Sequence, residues 1–169
     1  ILIEADVKIY IAQNMEEWIK QQDPKKAVQM REIKIEDLLP RDEIEVNMEK
    51  VGALLRGKKV LITGSAGSIG SEMVRQIAYY KPAEMMLIDQ AETPQHDIRL
   101  MMKNDFPDIK AHTVVTSICK ESRMEEIFHD FQPDYVFHAA AYKHVPMMED
   151  NPSESVQNNV WGTKIIADL

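Results

Sequence analysis

Lys58-Lys59-Val60-Leu61-Ile62-Thr63-Gly64-Ser65-Ala66-Gly67-Ser68-Ile69-Gly70-Ser71-Glu72 decides the fold, because it reads as a strand running through a glycine-rich turn into a helix. Residues 60–63 are apolar and rich in β-branched types, as a strand buried on both faces requires. From Ser68 onward Ile69, Met73, Val74 and Ile77 recur at helical spacing. Gly64 allows the sharp turn, Gly67 lets a diphosphate approach where a Cβ would block it, and Gly70 lets the helix pack close to the strand. Free amides at the helix start then face the diphosphate, where the helix dipole favours negative charge. Asp89 ends the next apolar run at about the twenty-residue distance that a dinucleotide-binding fingerprint requires. The plainer alternative is a tight turn that holds no ligand.

The chain has 169 residues, room for one well-cored domain with something left over at an end. Hydrophobic content of 44% and charged content of 28% are ordinary for a soluble globular protein. A net charge of -8 without a dense Lys/Arg run argues against a nucleic-acid partner. The single Cys119 forms no intrachain disulfide and fits a reducing, cytoplasmic compartment. No apolar run approaches the roughly 18 to 20 residues of a membrane span, and the first residues lack a signal-peptide layout. The chain starts without Met and stops at Leu169 inside a helical pattern. The expectation is therefore a soluble piece of a longer protein, truncated before its substrate-binding part.

Residues 1–56 do not belong to the glycine-centred unit and are expected to be the tail of a preceding domain plus a linker arm. Residues 7–11 read as a strand, 15–20 as a short helix, Asp23-Pro24 as a turn and 35–39 as one helical turn. Asn47 caps a helix through Leu55 that Gly57 ends. From residue 57 strands and helices alternate. Strands are predicted at residues 84–89, 109–115 and 134–139, and helices at 93–103, 120–131 and from Ser153 to the end. This is the rhythm of an α/β, doubly wound parallel sheet, a Rossmann fold, here the amino-terminal part of an NAD(P)-binding domain over residues 57–169. Ligands of such a sheet sit at the carboxyl ends of its strands. Met101-Met102 and Met147-Met148 read as core filling.

Asp89 can accept both hydroxyls of an adenosine ribose and repels a 2′-phosphate, and no Arg or Lys lies between it and Gln95. This favours NAD over NADP. In Phe137-His138-Ala139-Ala140-Ala141-Tyr142-Lys143-His144-Val145-Pro146 the small residues let the backbone pass close under a cofactor. Lys143 after them could meet a cofactor phosphate or a sugar diphosphate. His138 and His144 lack a further ligand at metal spacing, so no metal is assigned, and His138 reads as a hydrogen-bonded strand-end residue. Asn159, inside a predicted helix, is expected to engage a neighbouring backbone or a water.

Gly64 to Gly70, the run from His138 to Pro146, and Asn159-Val160-Trp161-Gly162-Thr163 together resemble the extended short-chain dehydrogenases acting on nucleotide sugars. The likeness is strongest to the polysaccharide-biosynthesis branch of UDP-N-acetylglucosamine 4,6-dehydratases and related epimerases. Residues 30–41 also resemble the linker of its long, membrane-anchored members. The resemblance implies a UDP-sugar substrate, NAD(P), a homo-oligomeric parent at the cytoplasmic face of the inner membrane, and 4,6-dehydratase chemistry. Epimerisation, or a non-catalytic NAD-binding module, are the alternatives. It implies cofactor contacts at Gly64, Ser65, Gly67, Ser68, Ile69, Gly70, Asp89, Ser117, Ala139, Ala140 and Lys143, and a structural active-site role for Asn159. Thr116-Ser117 departs from the family's Gly-Asp after the third strand. None of the five tyrosines is followed by Lys four positions on. The catalytic Lys is therefore expected beyond Leu169, and the fragment is expected to be inactive alone.

Overall fold

The structure, a computed structural model, describes Tyr10–Ala12, Met30–Glu32 and residues 47–169. Strands β1 (Tyr10–Ala12) and β2 (Met30–Glu32) pair antiparallel and belong to the unit Ile1–Val46. The strand expected at residues 7–11 overlaps β1; the helix at 15–20, the turn at 23–24 and the helical turn at 35–39 lie outside the described residues.

Asn47–Leu169 forms the second compact unit. It opens with α1 (Met48–Leu55), whose N-cap Asn47 accepts the Lys50 N–H at 2.9 Å, as its sequence predicts. Gly57, at φ +70, ends it. The division falls at residue 46 rather than 56 because α1 packs on the sheet unit: Leu55 joins its core, and Gly52 is where the Tyr80 ring rests.

Then follow β3 (Lys59–Thr63), α2 (Ser68–Tyr79), β4 (Glu84–Asp89), α3 (Glu92–Asp105), β5 (Lys110–Val115), α4 (Glu121–Phe131) and β6 (Tyr135–His138). The four strands are parallel in the order β5-β4-β3-β6. Consecutive strands joined through helices give the crossovers of a Rossmann sheet. Registers Thr63 to Ile88, Thr63 to His138 and Asp89 to Val115 bring all carboxyl ends to one rim.

Alternation along β3 divides the core. Val60 and Ile62 point to one face with Val74, Ile77, Ile98 and Met102, while Leu61 points to the other with Met124, Ile127, Phe131 and Ile165. The sheet is covered on both faces, as expected.

Ile69 is 67% exposed, because the buried face of α2 is set by Gly70, Val74, Ile77 and Ala78, one residue out of phase with it. One burial expectation, that of Met147, fails. Met147 is 60% exposed on α5 (Val145–Asp150), a short helix with no buried residue, where the sequence had suggested loop. The helix expected from Ser153 is present and runs without interruption through α6 (Pro152–Val156), a π-helical turn (Gln157–Gly162) and α7 (Thr163–Asp168).

Candidate functional site

A cleft of about 450 Å³ opens where the rim of the sheet meets the glycine turn. This lies within the size range of small-molecule sites. Gly64, Gly67, Asp89, Ser117, Ala139 and Ala140 line it, six of the residues singled out in the sequence.

The three glycines of the turn differ in what they permit. Gly64 has φ +67, and a Cβ there would lie 2.6 Å from the Ala139 and Ala140 backbone, so it serves both the turn and the close pass of the β6 loop. At Gly70 a Cβ would sit 1.9 Å from the Gly64 carbonyl oxygen, which no L side chain survives. At Gly67 a Cβ would meet only that oxygen, at 3.4 Å, so the chain leaves this side open.

The first bond of α2 runs from Ser71 N–H to Gly67 O at 2.8 Å. Ser68, Ile69 and Gly70 thus have amides without an intrahelical acceptor. No side chain caps this end and no acid stands in its first turn, so these amides are open to a ligand.

Asp89 stands beside them. One carboxylate oxygen accepts the Ala66 N–H at 3.0 Å and the other the Ala91 N–H at 2.9 Å, which fixes the group and leaves a lone pair on each oxygen for a ligand hydroxyl.

Ser65 is fully buried and faces away from the cleft. Its amide donates to Ile88 O at 3.1 Å, and its hydroxyl donates to Gln95 Oε1 at 2.9 Å. Gln95 Nε2 in turn donates to Leu87 O at 2.7 Å. The expected ligand contact at Ser65 is therefore replaced by a staple between the turn and β4. Gln95 was not singled out in the sequence, though its place with Ile98 and Met102 on the buried stripe of α3 marks it.

Across the rim, Asn159 on the π-helical turn takes the Tyr142 N–H on Oδ1 and donates Nδ2 to Tyr142 O, both at 2.8 Å. The backbone engagement expected of Asn159 is this clamp. It fixes Tyr142 so that the phenol oxygen accepts a 2.9 Å hydrogen bond from Gln90 Nε2, joining the loops after β4 and β6. Tyr142 and His144 line the cleft, while Lys143 between them is exposed and outside its lining, as alternation along an extended chain demands. Asn158 lines the cleft and is buried.

His138 bridges β3 and α7: Nδ1 lies 2.6 Å from Thr63 Oγ1 and Nε2 2.9 Å from Thr163 Oγ1. Burial holds its pKa below the ordinary histidine value. It is a neutral tie under the cleft, in keeping with the strand-end role read from sequence.

The sequence matches the family described as "Polysaccharide biosynthesis protein" over residues 60–169. The chain belongs to this family. It is 40% identical over 143 residues to the probable polysaccharide biosynthesis protein EpsC of Bacillus subtilis, covering 84% of this chain and 24% of that protein. It is 30% identical to the inverting UDP-N-acetylglucosamine 4,6-dehydratase of Campylobacter jejuni, over 68% of this chain and 33% of the enzyme. Among solved structures, WbmG of Bordetella bronchiseptica in complex with NAD and UDP superposes with a TM-score of 0.52 at 26% identity, over 64% of this chain and 32% of that one. The UDP-glucose 4-epimerase of Thermotoga maritima with UDP-glucose gives 0.54 at 25% identity, over 65% and 33%. The chain thus spans about a quarter to a third of these relatives. No helix among the described residues is long and apolar enough to cross a membrane.

Proposed function

We propose that this chain is the dinucleotide-binding part of a nucleotide-sugar 4,6-dehydratase acting on a UDP-linked N-acetylhexosamine, with NAD as its dinucleotide. One observation carries the binding half: an uncapped helix start and a fixed carboxylate, Asp89, stand side by side in one cleft. The amides of Ser68, Ile69 and Gly70, with the open side of Gly67, would hold the diphosphate. Asp89 would accept the ribose hydroxyls, Ser117 would lie at the base, and Ala139 and Ala140 would floor the far side. Asn159 acts through Tyr142, keeping that floor in place.

Support for the reaction comes from the Campylobacter dehydratase, and for the ligands from WbmG with NAD and UDP. Bound NAD supplies an acceptor for the hydride from C4 of the sugar and the same hydride for return at C6. A C4 ketone acidifies the C5 proton, so water leaves across C5 and C6. Epimerisation through the same ketone is the second reading, favoured by the likeness to the Thermotoga epimerase. Titrating this chain with NAD by calorimetry tests the binding half, and absence of a heat of binding rejects it. A protein of the relatives' full length, incubated with UDP-N-acetylglucosamine, tests the other half: mass spectrometry shows loss of water for a dehydratase and no mass change for an epimerase.

A further inference from the structure

The rim of the sheet orders the cleft by strand. The amide-lined turn follows β3, Asp89 ends β4, and the next strand outward is β5. Neighbouring strands lie about 4.8 Å apart, so a ligand with diphosphate at β3 and ribose at β4 puts its base over the loop after β5. That loop is Thr116-Ser117-Ile118, tied to β4 by the Thr116 N–H to Asp89 O bond at 2.9 Å. Ala91, Pro94 and Ile118 give this end apolar walls suited to a flat heterocycle.

Its polar side chains share one property. Ser117 Oγ accepts the Cys119 N–H at 3.2 Å, which leaves its O–H to donate and a second lone pair to accept. The Thr116 hydroxyl has the same double capacity. Asn158, 6% exposed, spends one N–H on Asn159 Oδ1 and keeps its carbonyl and its other N–H. Among the described residues Asp89 is the only carboxylate lining the cleft itself; Glu154 lines a smaller neighbouring pocket that shares Ser117 and Asn158 with it. A carboxylate here would accept only and so select an amino group on the base. An ammonium would donate only and select a keto oxygen. Hydroxyls and a carboxamide do either.

Resting on the dinucleotide reading above, we propose that this cleft does not select adenine: it takes a purine dinucleotide equally well whether position 6 of the base carries an amino group or a keto oxygen. Ser117 is the residue that determines this lack of choice.

The test is calorimetric titration of the whole chain with NAD and with nicotinamide hypoxanthine dinucleotide, read as the ratio of the two dissociation constants. The expected ratio for the unaltered chain is below about fivefold. In Ser117→Asp it moves about tenfold or more toward NAD, the size of a charge-assisted hydrogen bond gained on one base and a repulsion added on the other. A partly unfolded variant weakens both ligands alike, so the ratio survives imperfect folding. A ratio of about fivefold or more in the unaltered chain, with NAD still bound, overturns this inference and leaves the dinucleotide site standing. An unchanged ratio in Ser117→Asp overturns it too, because Ser117 then does not face the base. Failure to bind NAD at all overturns the site and the inference together.

Discussion

Asn159 grips Tyr142 with both ends of its carboxamide, two 2.8 Å bonds to one residue's N–H and C=O. The geometry mimics a strand partner, so a residue ill suited to a helix interior is retained where the helix widens into a π-turn. Asn159→Ala removes both bonds and is expected to cost about 2 kcal/mol of unfolding free energy, about 1 for each. Hydrogen exchange at the Tyr142 amide, faster in the variant, distinguishes loss of the clamp from general destabilisation. An unchanged exchange rate there would reject the role.

Gly67 and Gly70 separate binding from folding. Gly67→Ala meets nothing closer than 3.4 Å and keeps φ negative, so it is expected to fold with a loss of about 0.5–1 kcal/mol, the cost of Ala at an N-cap. It puts a methyl where the diphosphate would lie, and NAD affinity is expected to fall at least about tenfold. Gly70→Ala places a Cβ 1.9 Å from a backbone oxygen and is expected to break the turn, seen as loss of the cooperative urea transition. Equal stability of the two variants would contradict the turn geometry.

The sheet was legible because its signals are local: apolar runs, three glycines in a turn, and an acid one strand later. What escaped depends on tertiary placement. Ser65 looked like part of the phosphate loop, yet its hydroxyl is claimed by Gln95, thirty residues on. Pro146 lies in the first turn of α5, where proline is tolerated because its missing N–H has no intrahelical acceptor. Gln95 could have been found as a polar residue on the 95, 98, 102 stripe. Gln95→Leu would strand the buried Ser65 hydroxyl and remove the bond to the Leu87 carbonyl, and is expected to cost about 1–3 kcal/mol in urea unfolding.

His138 makes stability depend on pH. Its folded pKa is lowered from 6.5 by burial, so below about that value the unfolded chain binds a proton that the folded chain refuses. The contribution is therefore present above pH 6.5 and is lost as pH falls through the lowered folded value. His138→Gln keeps a donor and an acceptor between Thr63 and Thr163 without titrating. The unaltered protein is expected to lose more stability than this variant between about pH 7.5 and about pH 5.5. Asp134 and Glu84, held below the ordinary carboxylate range mainly by the Lys59 amide and by Lys110 respectively, act at lower pH and cancel in the comparison. Parallel curves would place the sensitivity elsewhere.

Asp89 is expected to set a preference for NAD over NADP. Its carboxylate is fixed by the Ala66 and Ala91 amides and cannot swing away from a 2′-phosphate on the ribose it would bind. No Arg or Lys lines the cleft to offset the repulsion. At about 5 Å and a partly buried dielectric, two like charges repel by on the order of 1–3 kcal/mol, an expected preference for NAD of about 5- to 150-fold. Asp89→Ala removes the charge and the ribose acceptors together. NAD binding is expected to weaken while NADP binding changes little, bringing the ratio toward one. Calorimetry with both dinucleotides at one ionic strength reads this directly, since screening would otherwise mimic the effect. Tighter NADP than NAD binding in the unaltered chain would refute the preference. A ratio unmoved by Asp89→Ala would shift the selectivity to the neighbouring loop at Gln90.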